Sequence, residues 1–444
     1  ITAAKIAAGA IPSGVDIQSS APSVASEGSL YYNTTTDKLY LSNGTAWLPL
    51  DTNAAPTSTG GTVTIPAQNG LSTFSYNLGL NFTDEDVDAN LTYTLESGTL
   101  PAGAVLPTSG NTALTGTATN TTATYNFIIR ATDAKAAFST QAYTQTITAV
   151  LVASGGTIST AGGYKYHTFT SSGTFAVSAG GPVGILVVAG GGSGGWYVGG
   201  GGGGGGMIED TSRSLNPASF SIVIGAGATT NNSPYTPSSG SNTTATSLTA
   251  IGGGGGGSFP NIAGYGGGSG GGAGAPDSVS GRYNAARGTG TSGQGNNGGT
   301  STALRSAVPT MGSGGGGANG IGGDYPGGSS TSRTTSGGAG KVSAICPDGY
   351  YYAGGGGGGG YNAGNLIYGG AGGIGGGGGG GSFASGPGPG GGSARNTGGT
   401  ATSGDPANAG SGGQNTGGGS GGGGHVMQSS NNGGSGIVII RYAV

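Results

Sequence analysis

Three aspartates alternate over five residues, Asp84, Asp86 and Asp88, with Glu85 inside the run. Carboxylate oxygens at that density suit a hard cation with many oxygen ligands, and calcium is the expected one. The stretch is not an EF-hand, because the glycine and the distal glutamate are missing at the required spacing. The competing reading is a solvated acidic turn. Nucleophilic or acid–base chemistry has far less to draw on. The chain has two histidines, His167 and His425, and one cysteine, Cys346. His167 sits in a strand pattern that suits a structural role. His425 follows a glycine run with no carboxylate or cysteine beside it, and Cys346 carries no nucleophile signature. Glu209, Asp210, Asp277, Asp324, Asp348 and Asp405 are spread thinly through the C-terminal two-thirds. Two of them meeting in space as a glycosidase pair is the one hydrolytic option left open. The expectation is a protein without enzymatic activity.

Binding chemistry is richer. Trp196, Tyr197, Tyr235, Tyr265, Arg287, Tyr350, Tyr351 and Tyr352 fall between glycine runs, as do Arg282, Tyr283, Tyr325, Tyr361 and Tyr368. Aromatic rings give large, stiff contact area with a polar tip, and arginine adds forked donors. The densest group is Asp348-Gly349-Tyr350-Tyr351-Tyr352, the first choice for a tip contact. Arg282, Tyr283, Tyr325, Tyr361 and Tyr368 complete the candidate receptor-binding set. The alternative is that these tyrosines fill gaps between glycine segments or bury against a second chain.

What must position these residues is a glycine framework. Glycine supplies 111 of 444 residues, concentrated after about Gly155, in runs such as Gly199 to Gly206 and Gly354 to Gly360. Such runs bring no side chains to bury and lose the most backbone entropy on ordering. They are either flexible linker or a fold built on backbone-to-backbone packing. Collagen is excluded by the absence of a strict Gly-X-Y period. A linker is disfavoured because buried-strand sequences flank the region, Val183-Gly184-Ile185-Leu186-Val187-Val188 before it and Ile437-Val438-Ile439-Ile440-Arg441-Tyr442 after it. Glycine permits close lateral approach, so packed polyproline II helices flanked by β-strands are expected over residues 155–444. Tyr166-His167-Thr168-Phe169-Thr170, Gly173-Thr174-Phe175, the stretch from Ile185 to Gly192 and the end from Gly434 to Tyr442 resemble the glycine-rich domains of bacteriophage tail-fibre and adhesin proteins. That resemblance implies variable loops that touch a bacterial surface receptor or glycan.

Two further regions precede it, and the whole reads as an all-β chain. Residues 51–154 alternate as sandwich strands do, in Thr62-Val63-Thr64-Ile65, Leu91 to Leu95, Tyr125 to Arg130 and Tyr143 to Thr148. Phe82 to Asp88, Gly98 to Gly103 and Arg130 to Ala134 resemble immunoglobulin-like and cadherin-like modules of bacterial and phage surface proteins. The resemblance implies a spacer or adhesive unit, and it adds Asp133, in its Ala-Thr-Asp turn, to the calcium ligands Asp84, Asp86 and Asp88. Residues 1–50 hold an apolar tail and three short strands between Glu27 and Leu48, with turns at Thr36-Asp37 and Asn43-Gly44. This segment is too short for its own core and looks like the small repeat of phage tail fibres. That likeness implies packing between chains through Tyr31, Leu39, Tyr40 and Trp47; the alternative is a β-hairpin leaning on its own neighbouring domain.

Composition narrows the setting. Charged residues make up 7% and the net charge is −3, so a basic nucleic-acid surface is not expected. No apolar run approaches the roughly 20 residues of a membrane helix. The missing initial Met suggests a processed product or a fragment. The expected setting is a virion tail or the cell exterior, and the expected partners are identical subunits as a trimer or a helical polymer. In the polymer reading the tail with Ile1, Ile6 and Ile11 inserts into the neighbouring subunit as an added strand. Sequons at Asn33, Asn43, Asn81, Asn90, Asn120, Asn231 and Asn242 would carry glycans in a secreted filament.

Overall fold

The computed structural model describes residues 15–23, 26–35, 38–50, 53–84, 90–108, 110–229, 236, 238–277, 284–302, 310–327, 335–361, 367–383, 386–425 and 431–444. Every extended sheet element is a β-strand, and the chain divides into two compact units, Ile1–Ala149 and Val150–Val444.

The first unit opens with a four-stranded sheet in the order Val15–Gln18, Leu30–Asn33, Lys38–Ser42, Trp47–Pro49. Asn43-Gly44 makes the expected hairpin. Gly44 has φ +85, and Asn43 Oδ1 accepts the N–H groups of Thr45 and Ala46 at 3.0 and 2.7 Å. The Thr36-Asp37 turn and the tail residues Ile1, Ile6 and Ile11 lie outside the described residues. Val15–Gln18 is a strand the sequence pattern did not reveal, and it pairs parallel to Leu30–Asn33. A parallel pair needs a crossover, and this one passes over one face of the sheet, where Trp47 Nε1 donates to Pro22 O at 3.0 Å. Under it Tyr31 stacks on Tyr40 and meets Trp47 edge-on, both at 4.8 Å. These three residues, expected between chains, therefore pack on one another inside their own chain. The register puts two cross-strand rows on the opposite face, Val15-Leu30-Leu41-Leu48 and Ile17-Tyr32-Leu39-Leu50.

Residues beyond 53 form a sandwich. One sheet has the order Thr62–Asn69, Phe138–Thr148, Ala123–Thr132, Thr92–Gly98, and the other Ala104–Val105, Ala113–Thr117, Thr73–Asn77. Alternation does what period-2 patterning predicts. Phe127, Ile129, Tyr143 and Ile147 point inward onto Phe74 and Leu114, each large apolar side chain stabilising the fold by roughly 2 kcal/mol.

The second unit is built on two five-stranded sheets. One runs Val152–Ser154, Gly173–Ala179, Ala218–Val223, Thr243–Ala245, Leu248–Ala250, and the other Thr157–Ala161, Tyr164–Phe169, Ile437–Ala443, Gly181–Val188, Met207–Leu215. The strand Ile437–Ala443 thus lies at the centre of the second sheet, hydrogen-bonded on both sides. Ile185, Val187, Val438 and Ile440 face the first sheet and pack on Phe175 and Ile222. Leu186, Val188, Ile437 and Ile439 face the other way, onto Ile345, Cys346, Tyr352 and Ala353. Burial on both faces explains why these strands are continuous apolar runs rather than alternating ones.

His167 is fully buried in this core. Its Nδ1 lies 2.7 Å from Gly155 O, its Nε2 lies 3.2 Å from Tyr442 Oη, and its ring stacks on Tyr442. Burial, with Lys165 nearby, holds its pKa below the ordinary 6.5. The unfolded chain therefore binds the proton more readily, and this group's contribution to stability is lost as pH falls through 6.5. The melting temperature is expected to fall between pH 7 and pH 5, and His167→Gln should flatten that decline.

Beyond Val188 the chain leaves the sheet as glycine runs that bond sideways. Within Gly199 to Gly206, Gly200 and Gly203 donate to Gly257 O and Gly254 O at 2.8 Å. Gly201 and Gly204 donate to Ser313 O and Gly316 O at 2.9 Å, and Gly202 and Gly205 to Ser420 O and Gly417 O at 2.8 Å. The donor direction repeats every third residue, so three separate runs accept from this one. Three others flank it where side chains would stand. A Cβ at Gly200 or Gly203 would overlap Gly272 O or Ser269 O, one at Gly201 or Gly204 would overlap Gly356 O or Ala353 O, and one at Gly202 or Gly205 would overlap Gly192 O or Ala189 O. The run is enclosed on six sides by other backbone. That is why it is glycine throughout, and why buried amides here are satisfied without a sheet ladder.

Candidate functional site

The runs are antiparallel and parallel neighbours whose turns gather at their two ends. At the end remote from the sheets, the residue that follows a run is repeatedly aromatic or histidine. Trp196 follows Gly195, Phe259 follows Ser258 after Gly252 to Gly257, Tyr361 follows Gly360, Phe383 follows Ser382 after Gly375 to Gly381, and His425 follows Gly424. Lateral bonds hold these ends together. Trp196 N–H donates to Ser258 Oγ at 3.0 Å, Phe259 N–H to Tyr197 O at 3.2 Å, and Val198 N–H to Gly424 O at 2.8 Å.

The rings form one cluster. His425 stacks on Tyr361 at 4.0 Å, meets Phe383 edge-on at 4.8 Å and lies 5.4 Å from Tyr197. Tyr197 in turn contacts Phe259 at 5.3 Å and Trp196 at 6.0 Å. All six rings are half-buried. Burial, with Tyr361 beside it, raises the Tyr197 pKa, so its phenol stays neutral and able to donate. His425 Nδ1 is buried and has no hydrogen-bond partner among the described residues. The turn joining two runs here holds Tyr197 at φ +46 and Val198 at φ +50. A β-branched residue in the left-handed region is a backbone outlier, and such strain concentrates at ligand clamps and similar sites. The cluster offers ring surface with polar tips on a rigid support, which suits contact with another molecule.

The expected contact residues are placed variously. Tyr361 belongs to this cluster. Arg282 and Tyr283 lie outside the described residues. Tyr368 is half-buried beside Gly386. Tyr325 is 1% exposed, with a pKa pushed up to about 12 by burial, and packs on Met311 and Ile367. Tyr352 is 0% exposed and covers the second sheet. Both are therefore corrected from receptor contacts to core residues. The stretch from Asp348 to Tyr352 is not a free tip. Tyr352 Oη donates to Asp348 Oδ2 at 3.3 Å, Tyr350 N–H donates to Asp348 Oδ1 at 3.1 Å, and Tyr351 is half-buried. The preceding segment is tied down by Lys341 on Glu209 at 3.1 Å, Ser343 Oγ on Glu209 at 2.7 Å, and Arg441 donating to Ile345 O at 3.0 Å. Cys346 lies beneath, its thiol pushed up to about 11 by burial, which leaves little nucleophilic thiolate. Among the candidates around Asp348, Asp348 and Tyr350 remain exposed.

Of the expected calcium ligands, Asp86 and Asp88 lie outside the described residues. Asp133 uses its carboxylate to hold its own turn. Its Oδ1 accepts from Lys135 N and Ala137 N at 2.8 and 3.0 Å, and its Oδ2 from Asn53 Nδ2 at 2.7 Å. Burial would raise its pKa, but these donors reverse that and hold it below the ordinary carboxylate value. Among the described residues, no three His, Cys, Asp or Glu side chains stand together as a metal site.

Phe259, Phe383 and His425 were missed as site residues. A signal for them was present, since each stands first after a glycine run or its closing serine. What sequence does not convey is the direction of each run, and hence which ends meet.

Comparison with known proteins gives two family matches. The glycine-rich domain family matches residues 167–395, and the He_PIG family of Ig domains matches residues 53–148. No curated protein matches the chain. Among solved structures, an endo-fucoidan hydrolase from glycoside hydrolase family 107 is 17% identical over 45% of this chain, and a variant of it is 15% identical over 48%. Both have a TM-score of 0.20, and the match covers 32% of each enzyme's length. A likeness that slight carries no argument about chemistry.

Proposed function

The chain belongs to the glycine-rich domain family, and on that premise we propose a non-enzymatic fibre protein, a phage tail-fibre or adhesin subunit that binds a bacterial surface receptor. The observation that carries the reading is the ring cluster at the far end of the glycine lattice, centred on Tyr361 and His425. A rigid scaffold that presents stiff aromatic surface lowers the ordering cost of binding. The Ig-type module ahead of it acts as a spacer. The three-residue repeat of donor directions supports a polyproline II geometry for the glycine runs, because that helix turns once every three residues. Such a subunit works on a virion tail or at a cell exterior. No helix among the described residues is long and apolar enough to cross a membrane.

The test is flow cytometry of the labelled full chain on a panel of bacterial isolates. Saturable staining of a subset is expected, weakened about 10- to 100-fold by Trp196→Ala with Tyr361→Ala. Staining of no isolate, or staining that both substitutions leave unchanged, contradicts the proposal.

A further inference from the structure

We infer that the Ig-type module holds an ordered water inside its sandwich, bound by the side-chain amide of Gln145. The inference concerns that module alone and is independent of the receptor reading.

Gln145 lies in the strand Phe138–Thr148 and is 1% exposed. Alternation along the strand turns it to the same side as Tyr143 and Ile147, into the core between the two sheets. Its cross-strand partners, Ile65 and Tyr125, line the same core. A carboxamide carries two donor hydrogens and an acceptor oxygen. Neither Oε1 nor Nε2 of Gln145 has a hydrogen-bond partner among the described residues. Leaving both ends of an amide unpaired in an apolar interior is costly, and native cores rarely tolerate it.

The same strand shows the normal outcome four residues earlier. Gln141 is also buried, and its Oε1 accepts from Thr59 Oγ1 and Gly60 N–H, both at 3.1 Å. Its Nε2 donates to Gly61 O at 2.8 Å and to Ala142 O at 3.1 Å. Beside Gln145 the ladder instead breaks. Gln145 faces Ile65 but Ile147 faces Gln68, so Pro66 and Ala67 together stand opposite Thr146. A bulge leaves backbone groups unpaired, and Pro66 brings no N–H to the ladder. Both bulge residues are exposed, so solvent reaches the outer side of the break.

The chemistry of the site selects the ligand. It must donate and accept at once, and a simple cation or anion can do only one of the two. The flanking side chains of Ile65, Tyr143 and Ile147 carry no charge to balance an ion, and they are almost fully buried, which leaves no entry for a larger polar molecule. Water meets every condition. A buried water makes about three hydrogen bonds to groups otherwise unpaired, here the Gln145 amide and backbone beside the bulge.

The test is magnetic resonance of the full chain carrying isotope-labelled glutamine. Cross-peaks between water and the Gln145 side-chain amide protons are recorded in the laboratory and rotating frames. Dipolar transfer from a bound water changes sign between the two, whereas proton exchange does not. A sign-changing cross-peak is expected, assigned by its loss in Gln145→Met, whose flexible side chain fills similar space. That variant leaves the water's other partners unpaired, so the module's melting temperature should stay level or fall. Absence of a sign-changing cross-peak overturns the inference. So does a rise of about 4 °C or more in Gln145→Met, the gain expected from removing an amide that had no partner. Should Gln145→Met misfold, the wild-type cross-peak decides alone.

Discussion

Gly202→Ala is expected to abolish the cooperative folding of the glycine-rich unit. A methyl group there would stand under 3.0 Å from Gly192 O, and the atom in the way is backbone rather than a side chain that can swing aside. The neighbouring run is itself bonded into the lattice, with Gly192 donating to Gly203 O at 2.9 Å and Gly202 donating to Ser420 O at 2.8 Å. Moving either run breaks lateral bonds in several others. Overpacking in ordinary cores costs about 1–3 kcal/mol because side chains adjust. Here no side chain is available to adjust, so the expected cost is at least about 3 kcal/mol, a large share of typical domain stability. Gly392→Ala is the control. Nothing lies within 4 Å of its added Cβ and its φ is not left-handed, so it should be neutral or stabilising by up to about 1 kcal/mol. Thermal unfolding of both variants by calorimetry reads the difference. Equal melting temperatures would mean that glycine is not required at the lattice centre.

Ile440→Asp is expected to be the most damaging single change in the strand core. Ile440 is fully buried and lies opposite His167 on one side and Ile185 on the other. The substitution forfeits roughly 2–3 kcal/mol of apolar burial and places a carboxylate where no cation faces it, at a further cost of several kcal/mol. The sum is comparable to the whole stability of a domain, so the unit should fail to fold and its thermal transition should disappear. Val444→Asp, at a residue that is half exposed, should shift stability by no more than about 0.5 kcal/mol. A folded Ile440→Asp chain would contradict the central position of that strand.

Much of this architecture can be read from residue order, and the failures have physical causes. The apolar runs from Val183 to Val188 and from Ile437 to Ile440 announce buried strands, and it is their presence on both sides that makes the glycine runs read as backbone-to-backbone packing rather than linker. Alternation in Tyr125 to Arg130 announces a sandwich strand. Val15–Gln18 escaped because four residues carry little periodicity, and its pairing depends on a crossover that brings distant residues together. The tyrosines around Tyr352 read as a contact loop because a Tyr-rich segment looks alike whether it faces a receptor or covers a sheet. Only the need to cover Leu186 and Ile439 decides it. The ring cluster was half visible. The aromatic after each run stands in the sequence, but which runs point the same way follows from lateral bonds between residues hundreds of positions apart.

Hydrogen exchange of the Gly199 to Gly206 amides tests most directly whether glycine here is a rigid scaffold. The lateral bonds predict protection comparable to that of the strand Ile437–Ala443, with exchange only through unfolding of the whole unit. Exchange of these amides at the rate of an unstructured chain, while the strand stays protected, would contradict it.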